Sequence, residues 1–229
     1  MSDILEIFTA AFWAEYGGTL AEGILDTMVM VAVSTAAAYL IGLPMGVVSI
    51  LTQPHGIRPH KAVNTALGWV INIGRSFPFI ILMVAIQPFT KLVVGTKIGI
   101  KGAIVPLVVS AAPFIARMVE SSFNELDSGV IESARAMGAT NFQIIWKVLL
   151  PESFPSLLRG MSIATITIIG YIAMAGMVGG GGLGAVAINY GYYRYERPVM
   201  NVTMILTILL VQLIQVVFNA IVRRVDKNR

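Results

Sequence analysis

ESARAMGATNFQIIWKVLLP, residues 132–151, is a polar interruption in a chain that otherwise reads as lipid-soluble. It carries Glu132, Arg135 and Lys147 around a glycine, while hydrophobic residues make up 56% of the whole sequence. Asp127 and Ser128 are good N-caps for a helix through Ile131, Ala134 and Met137. Gly138 can take the left-handed conformation that ends such a helix. Thr140, with Gln143 three residues on, completes a capping box for a second helix. Phe142, Ile145, Trp146 and Leu149 are spaced to share its apolar face, and Pro151 and Pro155 are expected to stop it. The segment of about residues 127–152 therefore reads as a helix–glycine–helix hairpin lying against a membrane face.

On either side of the hairpin the chain is apolar. Its mean hydropathy is +0.80. Charged residues are 12% of 229, roughly half the usual globular share. A bilayer core about 30 Å thick needs about 20 apolar residues per helix. Five runs meet that need, with spans expected at about 20–51, 62–90, 99–120, 156–182 and 198–222. The uncharged run Gly160–Tyr193 is longer than one span requires, so its later part is expected to be a loop or re-entrant. The expectation is an all-α polytopic membrane protein forming a single transmembrane domain over residues 1–229.

An odd number of spans puts the termini on opposite sides, and basic residues favour the cytoplasm. With the C-terminus inside, ten Lys and Arg lie in inner segments and five in outer ones, Arg75 being left unassigned. The N-terminal segment is acidic (Asp3, Glu6, Glu15, Glu22) and suits the outside. Lys91–Lys101 is a mild exception. The expected topology is N-out, C-in, which places the hairpin in the cytoplasm between the third and fourth spans. MSDILEIFTAAFWAEYGG lacks a basic region and a small-residue cleavage site, so no removable signal peptide is expected.

The net charge of +4 is spread over the ends of apolar runs without interleaved aromatics, which argues against nucleic acid as a partner. There is no cysteine, so disulfides and thiolate metal sites are excluded. His55 and His60 share one loop with no carboxylate cluster, and are expected to be solvated rather than metal ligands. The glycines Gly176, Gly179, Gly180, Gly181, Gly182 and Gly184 have no following Gly-Lys-Ser/Thr, so they do not form a phosphate loop. They make either a flexible outer end of the fourth span or a re-entrant turn. Tyr190, Tyr192, Tyr193 and Tyr195 follow in an outer loop suited to a half-wet interface.

Arg75 is the costliest residue in the apolar runs, since a charge at the bilayer centre costs at least ~2.5 kcal/mol. It either faces a protein-lined gate or snorkels to the cytoplasm. Asp26 is interfacial or, less simply, a proton relay. Tyr171, Met174 and Met177 share a stripe on the fourth span that either packs or borders a path.

Glu132, Ala134 and Gly138, followed by Ile145 and Leu150-Pro151, resemble the cytoplasmic signature of ABC importer permeases. That signature is E-A-A, then G, then I-x-L-P. Ser133 stands where the pattern has its middle alanine, and the final I-x-L-P is approximate. GLPMGV (42–47), GRSFPFIIL (74–82), AAPFIARMVESS (111–122), MVGGGGLGAVAINYGY (177–192) and VMN (199–201) are similar to methionine ABC transporter permeases. The similarity covers about Thr19–Arg224.

The resemblance implies a type I ABC importer architecture in a bacterial inner membrane. The hairpin would be the coupling helix, with Glu132, Ser133, Ala134, Arg135, Ala136, Gly138, Ala139 and Thr140 docking on an ATP-binding subunit. Ser133, Ala134 and Ala136 would allow close approach, and Glu132 would offer a carboxylate at the rim. Arg75, Tyr171, Met174 and Met177 would border the translocation path. It further implies a homodimer with two cytoplasmic ATP-binding subunits, an external substrate-binding lipoprotein, methionine as substrate and surrounding lipid. The chain itself would have no catalysis and no cofactor, ATP and Mg being held by the partner. An importer of another small solute is the alternative within that class. An ion-coupled secondary transporter would be expected to show internal repeats and paired intramembrane charges, and neither is found. A membrane enzyme would need a carboxylate pair, a Ser/His set or a metal cluster in a span.

Overall fold

The computed structural model describes residues 7–54 and 56–226, and among them it is built of helices and turns without strands. Its elements are α1 (Ala10–Thr52), α2 (Lys61–Ser76), α3 (Phe79–Ala85), α4 (Gln87–Val94), α5 (Gly99–Asn124), α6 (Ser128–Ala136) and α7 (Asn141–Ile144). A π-helical turn, Ile145–Leu149, leads into α8 (Leu150–Gly176). Then come α9 (Gly182–Val186), a second π turn (Ala187–Tyr192) and α10 (Arg197–Val225). Four of the described helical stretches are long and apolar enough to cross a membrane: Ala10–Thr52, Gly99–Asn124, Asn141–Gly176 and Arg197–Val225. The broken pair α2 and α3 makes a fifth if counted as one span.

The expected second span is interrupted because Phe77 precedes a proline, whose ring disfavours helical backbone in the residue before it. Pro78 then sits as N-cap of α3, with φ −59 and ψ 128. A second break follows at Ile86, before Pro88 in the first turn of α4. Helix α1 also starts about ten residues earlier than hydropathy suggests. Its 43 residues, at about 1.5 Å each, reach roughly twice the thickness of a hydrocarbon core.

Packing divides the chain into two units. The first comprises the chain up to Ala37, Phe77–Ser110 and Thr165–Gln215. Here the early part of α1 is held by a cluster of Phe12, Leu20, Val186, Val199 and Val202. Burying Phe12 and Leu20 is what extends α1 beyond the apolar run. The glycine stretch turns the chain back on α8. A Cβ at Gly176 would lie 2.3 Å from the backbone of Gly184 and Ala185, so only glycine permits this approach. Thr27 pins the returning strand of chain: its hydroxyl accepts from Leu183 N at 2.9 Å and donates to Gly23 O at 2.8 Å. The glycines thus form a tight re-entrant turn rather than a loose helix end.

The second unit comprises Ala38–Ser76, Ala111–Ala164 and the chain from Val216. Gly42 and Gly46 let α1 close onto α5, where a Cβ at either position would lie 2.6 Å from the carbonyl of Ala112 or Ala116. This is the small-residue packing by which apolar helices associate without a hydrophobic driving force. Gly74 does the same against Pro113.

Candidate functional site

The hairpin lies wholly in the second unit, and both its arms are capped by their own residues. The Asp127 carboxylate accepts from Gly129 N at 2.8 Å, opening α6. At its end Gly138 has φ +80. Gly138 N donates to Arg135 O at 2.9 Å and Ala139 N to Ala134 O at 3.1 Å, the paired closure of a glycine-capped helix. Thr140 and Gln143 then form the reciprocal capping box: Gln143 N donates to Thr140 Oγ1 at 3.3 Å, and Thr140 N to Gln143 Oε1 at 2.8 Å. Five hydrogen bonds close these helix ends between residues 127 and 143, so the hairpin is stiff without help from a partner.

The second arm departs from the expected pattern. Pro151 does not stop it, because the π turn at Ile145–Leu149 carries the helix through into α8. A proline inside an α-helix removes one bond and collides with the carbonyl four residues earlier; widening the preceding turn accommodates both. Pro155 is likewise inside α8. The extra residue in that turn also changes which side chains share a face. Ile144 and Leu149 are buried, at 0% and 2% exposure, whereas Phe142 and Trp146 stand outward with ring centroids 6.0 Å apart.

The outward face of the hairpin is mixed. Met137, Phe142 and Trp146 are 81%, 68% and 59% exposed. Glu132, Ser133, Arg135, Ala136, Gly138 and Thr140 are exposed beside them, with Ala139 half-buried. Ala134 is instead buried in its own chain, so its small side chain serves the seating of α6. A cleft of ≈ 300 Å³ opens next to the hairpin, lined by Ile50, Leu51, Phe123, Leu126, Glu132 and Arg135 among others. An apolar patch with a stiff stem and charged rim suits a protein partner more than a small substrate.

Immediately before the hairpin, α5 carries a group that motif reading passes over. Glu120 is buried, its side chain 5% exposed, and it is the one carboxylate on α5. Ser49 of α1 donates its hydroxyl to Glu120 Oε1. Arg117, 57% exposed, donates from Nη1 to Oε2 at 2.7 Å. Asn64 of α2 donates from Nδ2 to Ser49 O at 2.9 Å, so three helices meet at this point. One turn on, Ser156 of α8 donates to Glu125 Oε2 at 2.7 Å and contacts Ser122 at 3.1 Å. The signal available in sequence was the carboxylate itself, an ionisable residue inside an apolar run.

The residues expected along a path are distributed as follows. Tyr171 is stacked on Phe79, with centroids 4.7 Å apart and planes 7° apart. Met174 and Met177 are 45% and 56% exposed on the same helix. Arg75 is exposed in the last turn of α2 and belongs to the other packing unit. Along α2, Asn64, Thr65, Asn72 and Ser76 line a shallow groove together with Gly68, Trp69 and Ile73, a set of polar groups that the apolar average of that span conceals. Asp26 and Glu22 border a small cleft with Gly181, Asn189 and Tyr190. His60 accepts from Val63 N at 3.3 Å and so caps the start of α2, while His55 lies outside the described residues. Among the described residues no three His, Cys, Asp or Glu gather as a metal site would require.

The family described as binding-protein-dependent transport system inner membrane component matches residues 38–229. The probable D-methionine transport system permease protein MetI of Vibrio cholerae is 49% identical over 201 residues, 88% of this chain and 89% of its own length. Its counterpart in Haemophilus influenzae is 40% identical over 91% of this chain and 98% of its own. A chain from the MetNI methionine ABC transporter in inward-facing conformations superposes with a TM-score of 0.89 at 48% identity, covering 91% of this chain and 96% of that one. A chain of an amino acid ABC transporter with histidines shares the fold, with a TM-score of 0.78 at 15% identity over 94% of this chain and 98% of that one.

Proposed function

Because the chain belongs to the family of binding-protein-dependent transport system inner membrane components, we propose that it is the permease of an ATP-driven importer carrying methionine into the cytoplasm. The observation that carries the reading is the doubly capped hairpin with Met137, Phe142 and Trp146 turned outward. Such a part transmits displacement to whatever is rigidly attached to it. Glu132, Ser133, Arg135, Ala136, Gly138, Ala139 and Thr140 would border the docked ATP-binding subunit, and Ala134 would seat the helix from beneath.

ATP and magnesium would be bound by that subunit, and the chain would work as a pair of identical copies with two such subunits. A lipid-anchored binding protein would deliver the substrate outside, and the exposed tyrosines Tyr192, Tyr193 and Tyr195 are suited to meet it. Arg75, with the groove of α2, and the Tyr171–Met174–Met177 stripe would border the path. Lipid is a poor environment for the guanidinium and for two asparagines, which supports a watery or protein-lined setting for α2. The relatives from Vibrio cholerae and Haemophilus influenzae are named for D-methionine; transport of the L form is part of the proposal.

Reconstitution tests it. The chain is placed in liposomes with and without its ATP-binding and binding-protein partners, and labelled L- and D-methionine are supplied outside. ATP-dependent uptake only with all partners, abolished by an inactive ATPase, is expected. Uptake by the chain alone that collapses with a proton gradient would replace the ABC assignment by ion-coupled transport. ATP turnover without methionine uptake would keep the importer and remove the substrate.

A further inference from the structure

The buried carboxylate of Glu120 has no part in the reading above, yet it sits where hairpin motion must enter the membrane helices. Its position is unusual for three reasons. It is the one carboxylate on α5, where the other charged residues are Lys101 and Arg117, and its side chain is 5% exposed. Both of its oxygens are occupied, Oε1 by the Ser49 hydroxyl and Oε2 by Arg117. The Ser49 backbone is itself fastened, its carbonyl accepting from Asn64. Each member lies near the hairpin-side end of its helix: Glu120 one turn before α5 ends at Asn124, Ser49 one turn before α1 ends at Thr52, and Asn64 in the first turn of α2.

If the need were only to hold these helices together, apolar packing would do it at lower cost, since a buried charge must first be stripped of water. Gly46 already brings α1 against Ala116 and Val119 of α5. What a hydrogen-bonded node adds is directionality. Apolar surfaces can slide by a fraction of a side chain, whereas the directional bond from Ser49 to Glu120 resists sliding of α5 along α1, and Arg117, on α5 itself, holds the carboxylate in place to receive it.

We infer that Glu120 is a positioning residue for coupling: through Ser49 and Asn64 it locks the hairpin-proximal ends of α1, α2 and α5 into one body, so that displacement of the hairpin moves the helices and is not lost as slip. The inference rests on the importer reading proposed above. Breaking the node leaves the docking face of the hairpin intact, so the partner still hydrolyses ATP. The hairpin then shifts against α1, α2 and α5 instead of carrying them with it.

The experiment uses the reconstituted complex of this chain with its ATP-binding and binding-protein partners, and reads two rates in the same liposomes: labelled methionine uptake and ATP hydrolysis. For Glu120→Ala the expected result is about a ten-fold fall in uptake per ATP hydrolysed, with hydrolysis within about two-fold of the parent and the KM for methionine unchanged. Glu120→Gln keeps an oxygen for Ser49 and should recover most of the ratio. A residue that serves only to fold the chain would lower both rates together, through the amount of intact complex, and that outcome overturns the inference, as does an unchanged ratio. Ser49→Ala removes a single hydroxyl and decides the matter where Glu120→Ala fails to assemble: a ratio lowered about three-fold supports the node, and an unaltered ratio refutes it. The parent complex is its own control, because absence of ATP-driven uptake there defeats the importer reading, and the inference with it, whereas coupled variants in an active parent defeat the inference alone.

Discussion

Gly138 concentrates what the hairpin needs into one residue. Its φ of +80 is the left-handed region, and a Cβ built there meets nothing within 4 Å. Any penalty for a side chain is therefore backbone strain alone, about 1–2 kcal/mol for most L residues and less for asparagine. Gly138→Val should uncouple ATP hydrolysis from uptake or release the hairpin to protease, while Gly138→Asn keeps most of the activity. Equal behaviour of the two in the liposome assay would mean that the left-handed cap is not needed. Glu132→Lys tests the docking rim by charge instead of shape. Its side chain is exposed and joins neither ion pair of the described residues, so its effect should fall on partner binding and leave membrane insertion untouched.

At the scale of elements, two helices give contrasting predictions. Gly42 faces α5 so closely that a Cβ would stand 2.6 Å from Ala112 O. Gly42→Val should overpack this contact and destabilise the protein by roughly 1–3 kcal/mol, read as a lower thermal midpoint in detergent. Gly68, also helical, has open space where its Cβ would be, so Gly68→Ala should leave that midpoint unchanged or raise it slightly. The second contrast concerns surroundings. The chain has no cysteine, so single cysteines report cleanly. Asn72→Cys in the groove of α2 should react with a membrane-impermeant thiol reagent from at least one side. Leu209→Cys on α10, 58% exposed in a window of mean hydropathy 2.4, should stay silent in lipid. A silent Asn72→Cys would mean that α2 is sealed by another protein surface. The caps of the hairpin were legible because each involves residues two to five apart. The π turn and the inward turn of Ile144 were not, because they depend on how the helix threads Pro151 into α8.

For the molecule as a whole, orientation is the property that hydropathy and charge predict. A reporter fused after Arg229 should be active only if its activity requires the cytoplasm, and a tag before Met1 should be reachable by an impermeant protease from outside. The opposite result would place the hairpin outside the cell and exclude an ATP-binding partner for it. The sequence by itself determined the class of protein: long apolar runs cannot be solvated in water, and the capped hairpin follows from local hydrogen bonds that no distant contact need supply. It also carried the motifs by which the family is recognised. Only the tertiary structure decided how far α1 extends, since the burial of Phe12 and Leu20 against Val186, Val199 and Val202 outweighs the charges around them. The same holds for the glycine run, which is a tight turn because Thr27 is there to receive Leu183 N. It holds most of all for Glu120, whose partner Ser49 lies 71 residues away along the chain. A buried carboxylate announces that it needs partners, but which groups satisfy it is settled by the packing of helices, and that is a property of the fold and not of the local sequence.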